Sequence, residues 1–253
     1  MILEKIINQK KEEVAVLYQN PPSIVETTSN ISFLSQLEDN QLHLIAEVKK
    51  ASPSKGIIYN IFNPTNLAKT FESFGASCIS VLTDREFFQG SSSYLMQVKD
   101  AVSVPVLRKD FIIDPIQVLE TKEMGADVML LILDILSISQ ANELIEAAHA
   151  HHIEILLELH GADSLKKLDR INQPEIIGVN NRNLNTFDVN MNQVFDSMEF
   201  IREVHPQAKI IAESGYQTTE QLKLLEKRGV NGVLIGEGLS KNHQLLEWFH
   251  HES

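Results

Sequence analysis

An α/β fold, a closed (β/α)8 TIM barrel behind an N-terminal helical extension, is what the 253-residue sequence predicts, on three observations. From His43 onward, short apolar runs alternate with helical segments, the pattern of strands joined by crossover helices. In three places a glycine stands where a helix gives way to a strand: Phe74-Gly-Ala-Ser-Cys-Ile, Met124-Gly-Ala-Asp-Val-Met and Arg228-Gly-Val-Asn-Gly-Val. Glycine closes a helix there because it tolerates the left-handed conformation. The spacing is the third observation. Gly75 and Gly125 are 50 residues apart, and Gly125 and Gly229 are 104 apart, about two and four units of 25–26 residues. The chain from His43 to its end holds about eight such units, which favours a closed parallel barrel over an open sheet.

The elements follow in order. Leu3, Ile6, Ile7, Val14 and Leu17 recur at mostly helical spacing among Lys and Glu, predicting an amphipathic helix stopped by Pro21-Pro22. A polar stretch then runs to about residue 40. The expected strands are 43–49, 77–83, 104–109, 127–132, 153–158, 175–180, 208–213 and 232–235, nearly continuous apolar runs as strands covered on both faces should be. Asn63-Pro64 and Asp114-Pro115 read as an N-cap followed by proline at the first helical position, and Thr218 with Gln221 fits a capping box. No linker splits the chain. Residues 1–253 read as one domain, with 1–42 the extension and 43–253 the eight βα units.

Composition narrows the function. With 43% hydrophobic residues the chain is not disordered, and 34 acidic against 22 basic side chains, net charge −12, argue against a binder that neutralises nucleic-acid phosphates. The single cysteine, Cys78, allows no internal disulfide and reads as a small core residue. The longest apolar run, Val128 to Leu133 between Asp127 and Asp134, is far short of the roughly 20 residues that span a bilayer. Met1-Ile-Leu-Glu-Lys carries charges where a signal peptide would be apolar. A cytoplasmic protein without a membrane partner is expected. His149, His151 and His152 read as cations at a helix C-terminus rather than a metal site. No P-loop or dinucleotide fingerprint is present, and neither cofactor nor metal is expected.

Chemistry should sit where an apolar strand turns polar at its C-terminal end, the rim that carries barrel active sites. Six strands do so. The first reads Ile45-Ala-Glu47-Val-Lys49, its two charges two residues apart and so on one face. The others end in Arg108-Lys109-Asp110-Phe111, Glu158, Asn180-Asn-Arg182, Glu213-Ser214-Gly215 and Gly236-Glu237-Gly238. Glycine-containing turns into helices expose backbone N–H groups that hold a phosphate, so lysines beside them suggest a small phosphorylated ligand.

Ile45-Ala-Glu-Val-Lys-Lys-Ala-Ser-Pro-Ser-Lys-Gly56 resembles the signature of the indole-3-glycerol phosphate synthase family. Thr83-Asp-Arg-Glu-Phe-Phe-Gln-Gly90, Leu107-Arg-Lys-Asp-Phe111, Gly178-Val-Asn-Asn-Arg-Asn-Leu184 and Ala212-Glu-Ser-Gly215 agree in order and spacing. The resemblance implies conversion of 1-(2-carboxyphenylamino)-1-deoxyribulose 5-phosphate to indole-3-glycerol phosphate, carbon dioxide and water. It implies Lys109 as the general acid at the substrate carbonyl and Lys49 as the holder of the departing carboxylate. Glu158 and Glu47 match the carboxylates that move protons, Glu158 in the dehydration. Asn180, Arg182 and Glu213 match polar positions against the substrate. Ser52, Ser214, Gly215, Gly236 and Glu237 match the phosphate cradle, and Phe88 and Phe111 the apolar wall around the anthranilate ring. Two stretches depart from the family's usual run: Leu159-His160-Gly161 after Glu158, and Gly238-Leu239-Ser240 after Glu237.

Physics leaves one point open at this stage: nearby cations would lower the Lys109 pKa, and paired glutamates would raise it. The alternatives are a phosphoribosylanthranilate isomerase-like barrel, which needs no lysine for a departing carboxylate, and a non-catalytic phosphate-ligand binder. The expected partner is a small phosphorylated, carboxylated substrate, met by a monomer; docking to other tryptophan-pathway enzymes is left open.

Overall fold

The computed structural model describes residues 2–23, 31–38, 41–53, 56–59, 61–184 and 186–251; Ser54 and Lys55 of the signature and the side chain of Ser240 lie outside them. Eight parallel strands close a barrel: β1 (His43–Val48), β2 (Ala76–Leu82), β3 (Val106–Lys109), β4 (Val128–Ile132), β5 (Glu154–Leu159), β6 (Ile176–Asn180), β7 (Lys209–Glu213) and β8 (Gly232–Ile235). Each pairs with the next, and β8 returns to β1. The largest departure from the expected ends is at β3, which starts at Val106 rather than 104. Pro105 has no N–H for the ladder, although its carbonyl accepts from the Ile79 N–H at 3.0 Å. A two-stranded antiparallel turn, Ala51–Ser52 against Gly56–Ile57, follows β1.

Helices cross over between strands, the longest being Ile138–Ala150 and Gln193–Val204. After β5 the crossover shrinks to Ala162–Leu165 and a 3-10 turn at Leu168–Arg170. Asn63 caps Pro64–Ser73 by accepting from the Asn66 N–H, and Thr218 with Gln221 forms a capping box. At Asp114 the expectation shifts by one residue. The helix starts at Ile116 with Pro115 in the cap position, and the Asp114 carboxylate accepts from the Ile116 N–H at 3.0 Å. Gly75, Gly125 and Gly229 have φ of +85°, +78° and +73°, the left-handed closure the sequence predicts. His149 stands 4.0 Å from Glu175, a carboxylate brought close only by folding.

Alternation along each strand divides the core into two shells. In β1, Leu44, Ala46 and Val48 pack outward among the helices, while Ile45 faces inward with Cys78, Leu107, Leu156 and Ile211. Cys78 is wholly buried there.

The extension touches both ends of the barrel. Helix Ile2–Gln19 turns Ile6, Lys10 and Val14 inward at successive four-residue steps, and its Ile2, Leu3 and Ile6 cover the C-terminal mouth. The stretch from Ile31 to Leu37 plugs the opposite end, with Phe33 and Leu37 wholly buried in the inner shell. Glu154, at the start of β5, accepts from the Phe33 and Leu34 N–H groups at 2.8 and 2.9 Å and from the Ser32 hydroxyl at 2.6 Å. Asp127, just before β4, accepts from the Ile31 N–H. Among the described residues, no helix is long and apolar enough to cross a membrane.

Candidate active site

Alternate strands of such a barrel contribute one layer of its interior. Here the uppermost inward position of each odd strand is charged: Glu47 on β1, Lys109 on β3, Glu158 on β5 and Glu213 on β7. The lysine stands among the three carboxylates. Its Nζ lies 2.9 Å from Glu213 Oε2, 3.5 Å from Glu158 Oε2 and 3.7 Å from Glu47 Oε2. Lys49, one turn of the pleat beyond Glu47, pairs with Glu47 Oε1.

The competing effects at Lys109 now resolve. Burial alone would lower its pKa, but Glu213, Glu158 and Glu47 outweigh burial and raise it, so Lys109 stays cationic through neutral pH. Burial acts against the charge of Glu47, yet Lys49 and Lys109 overcome it and hold that carboxyl below its ordinary range. Glu158 behaves likewise, with Lys109 and His160 overriding burial. Glu213 goes the other way: burial and the adjacent Glu158 charge raise it against the pull of Lys109. Two close carboxylates cannot both ionise cheaply in a dry site, and Glu213 is the one pushed toward the neutral form.

A cavity of about 230 Å³ opens above this layer. Lining it are Glu47, Lys49, Ser52, Phe88, Lys109, Phe111, Glu158, Asn180, Arg182, Ser214, Gly215, Gly236 and Glu237. Glu213 alone of the expected residues is not in the lining; it is fully buried behind Lys109 and touches the cavity through it. On one side Phe88 and Phe111 stand with ring centroids 6.1 Å apart, walled by Ile2, Leu3 and Ile6 of the N-terminal helix. Opposite, β7 is followed by Ser214 and Gly215 with φ of +65° and +94°, and β8 by Gly236 before helix Glu237–Lys241. The Asn181 amide donates to the Ser214 carbonyl at 3.0 Å and to the Tyr216 hydroxyl at 2.9 Å, which fixes the first of these turns. Asn180 accepts from the Arg182 N–H at 3.0 Å, and Arg182 reaches the Phe187 carbonyl at 3.2 Å. A Cβ on Gly236 would run into the Glu47 carboxylate and come within 3.2 Å of Lys49 Nζ. One on Gly178 would run into the Glu213 carboxylate.

Sequence reading missed three contributors. Lys10, 1% exposed, reaches from the N-terminal helix to Asp110 Oδ1 and Glu13 Oε2 at 2.8 Å and to Asp84 Oδ2 at 2.9 Å. Asp110 follows Lys109 and accepts from the Phe111 N–H, and Asp84 accepts from the Phe87 and Phe88 N–H groups. One ammonium therefore ties the covering helix to the segments carrying Lys109 and both aromatic walls. A lysine central to an apolar helical stripe was the available signal. His160 pairs with Glu158 Oε1, and its place two residues on, like Lys49 after Glu47, marked the same face. Asn181 lay within a quoted motif but had no assigned part. Among the described residues no group of three or more His, Cys, Asp or Glu side chains is arranged to hold a metal.

Fold and site together define a (β/α)8 barrel enzyme with a lysine and three carboxylates crowning its odd strands beside glycine turns. The family model described as indole-3-glycerol phosphate synthase matches residues 3–250, and the chain belongs to that family. It is 43% identical over 240 residues to the indole-3-glycerol phosphate synthase of Shouchella clausii (strain KSM-K16), covering 95% of this chain and 92% of that protein. The enzyme of the same name from Halalkalibacterium halodurans is 41% identical over 253 residues, covering 99% of this chain and 96% of that one. That of Acinetobacter baumannii is 37% identical over 247 residues, covering 95% and 91%.

Proposed function

We propose that this chain is a carboxy-lyase that closes the indole ring of 1-(2-carboxyphenylamino)-1-deoxyribulose 5-phosphate, giving indole-3-glycerol phosphate, carbon dioxide and water. The observation that carries the assignment of roles is the convergence of Glu47, Glu158 and Glu213 on Lys109, with Lys49 alongside, between an aromatic wall and two glycine turns.

The anthranilate ring lies against Phe88 and Phe111, and the phosphate meets Ser52, Ser214, Gly215, Gly236 and Glu237, the last three mainly through backbone N–H groups. Asn180 and Arg182 orient the sugar between them. The ring carbon that bears the carboxylate attacks the ketone carbon. Lys109 gives its proton to the carbonyl oxygen, which becomes a hydroxyl. Lys49 holds the carboxylate until carbon dioxide leaves, and the electron pair of the broken bond restores the aromatic ring. In the dehydration the hydroxyl departs as water with a second proton, given by Lys109 once it has regained one from solvent, and Glu158 takes a C–H proton from the carbon beside the nitrogen. Glu47 keeps Lys49 in place and shares in the proton traffic; Glu213 fixes Lys109. Each well-placed donor or acceptor is worth about 10²–10⁴ in rate.

A substrate entering as carboxylate takes up one proton overall, which suits a site where Lys109 is held in its charged form. The reaction as written uses no cofactor, and a cytoplasmic monomer suffices for it. An isomerase of the phosphoribosylanthranilate type would leave Lys49 without a task, and the family match does not favour it. The test is to add the carboxyphenylamino-deoxyribulose phosphate to the purified protein and follow indole fluorescence. Absence of product at micromolar enzyme would overturn the assignment.

A further inference from the structure

We propose that His160 is a positioning residue, bridging Glu158 to the backbone after β6 so that the carboxylate faces the substrate ready to accept a proton. This rests on the part given to Glu158 above.

His160 is 6% exposed, and both of its ring nitrogens are engaged. Nδ1 lies 2.8 Å from the Arg182 carbonyl oxygen, which can only accept, so Nδ1 carries a hydrogen. Nε2 faces Glu158 Oε1. The His160 N–H donates to Asp134 Oδ2 at 3.0 Å and to Ser164 Oγ at 3.2 Å, so three neighbouring segments fix where the ring stands. Glu158 is thereby held at both oxygens, Oε1 by the imidazole and Oε2 toward Lys109 at 3.5 Å. A carboxylate fixed at both oxygens loses little orientational freedom on reaching the transition state. The same bridge joins β5 to the loop that presents Arg182, so the base and a residue that orients the substrate move together.

With Nδ1 committed to a carbonyl, Nε2 can donate to Glu158 only as imidazolium. The charged or titratable groups facing the ring are Glu158 on β5, Asp134 after β4 and, across Glu158, Lys109 on β3 and Glu213 on β7. Burial would lower the His160 pKa, but the Glu158 charge and the Arg182 carbonyl outweigh it and raise it to about 9. The bridge is therefore intact below that pH. It fails as pH rises through it, when Nε2 turns a lone pair toward the carboxylate.

The experiment measures kcat and KM by indole fluorescence from pH 6 to 10 for the wild type, His160→Ala and His160→Gln. The expected result is that His160→Ala lowers kcat about 10- to 100-fold, a share of the 10²–10⁴ that a placed base supplies, with KM within about threefold of wild type. Glutamine donates through its amide without titrating, so His160→Gln should keep kcat within about fivefold at pH 7.5 and lose the basic limb near pH 9. A His160→Ala kcat within threefold of wild type would overturn the proposal. So would a basic limb unchanged in His160→Gln, the deciding measurement if the alanine variant does not fold. No product from the wild type would instead overturn the proposed function itself.

Discussion

Replacing Lys10 with methionine should undock the N-terminal helix while leaving the barrel folded. The ammonium is buried against three carboxylates at 2.8–2.9 Å, and two of them, Asp84 and Asp110, are themselves 0% and 4% exposed. Removing one partner of a buried ion pair costs about 3–5 kcal/mol, because the charges left behind keep their desolvation penalty. Arg108 still faces Asp110 at 3.3 Å, and the Phe87 and Phe88 N–H groups still meet Asp84, so the lower end, about 3 kcal/mol, is expected. At about 1.4 kcal/mol per tenfold, that makes opening of the helix about 150-fold more frequent. Amide hydrogen exchange reads it directly. Amides of Ile2–Gln19 should exchange about 150-fold faster at pH 7, with those of β5 unchanged. The pH dependence carries a sign. Burial acts to raise the Asp110 carboxyl, but Lys10 and then Arg108 hold it down to about 2, against 3.8 for a free aspartate. That gap is worth about 2 kcal/mol, present above pH 3.8 and lost as pH falls toward 2. The difference between wild type and variant should therefore narrow below pH 4. Exchange in the helix within threefold of wild type at pH 7 would refute the reasoning, since the ion cluster would then be neutral in net terms.

Other expectations follow from the same geometry. Lys109→Ala should abolish indole formation with the circular dichroism spectrum unchanged; turnover near wild type would mean that another group is the acid. Phe33→Ala removes a wholly buried ring from the barrel plug and should cost about 3–5 kcal/mol, read from the urea midpoint. A loss under 1 kcal/mol would mean that the plug is not part of the core. Gly236→Ala places a methyl group against Glu47 and Lys49 and should lower kcat/KM about 10- to 100-fold, the effect of 1–3 kcal/mol of overcrowding. Unchanged kinetics would remove Gly236 from the site.

The barrel was legible because parallel strands covered on both faces must be apolar almost throughout, which makes Glu47, Lys109 and Glu158 conspicuous where they interrupt the runs. Period-two alternation then put Lys49 on the face of Glu47. What stayed hidden depends on partners distant in the chain. Lys10 stands in the apolar stripe of its helix, but nothing local names its partners until Asp84 and Asp110 are folded against it. The plug reads as a polar stretch because Phe33 and Leu37 stand among Ser, Gln and Asn, and the groups that satisfy its N–H donors, Asp127 and Glu154, lie about 100 residues on. Glu213 reads in the sequence as one more strand-end carboxylate, with nothing to say that it is buried behind Lys109. Strand position alone does not say whether a carboxylate ends in the cavity or behind the lysine that fills it.

Charged residues crown the odd strands, but the room they work in is made on the even ones. β6 carries Gly178 and β8 runs into Gly236, and the missing side chains leave the space into which Glu213 and Glu47 bend. A barrel of this size ordinarily fills its own interior. Here omission makes room for two carboxylates, and a side chain at either glycine would collide with one of them. The reach of the two carboxylates is thus set by their neighbours' emptiness, so a methyl group added where no reacting atom sits would displace them.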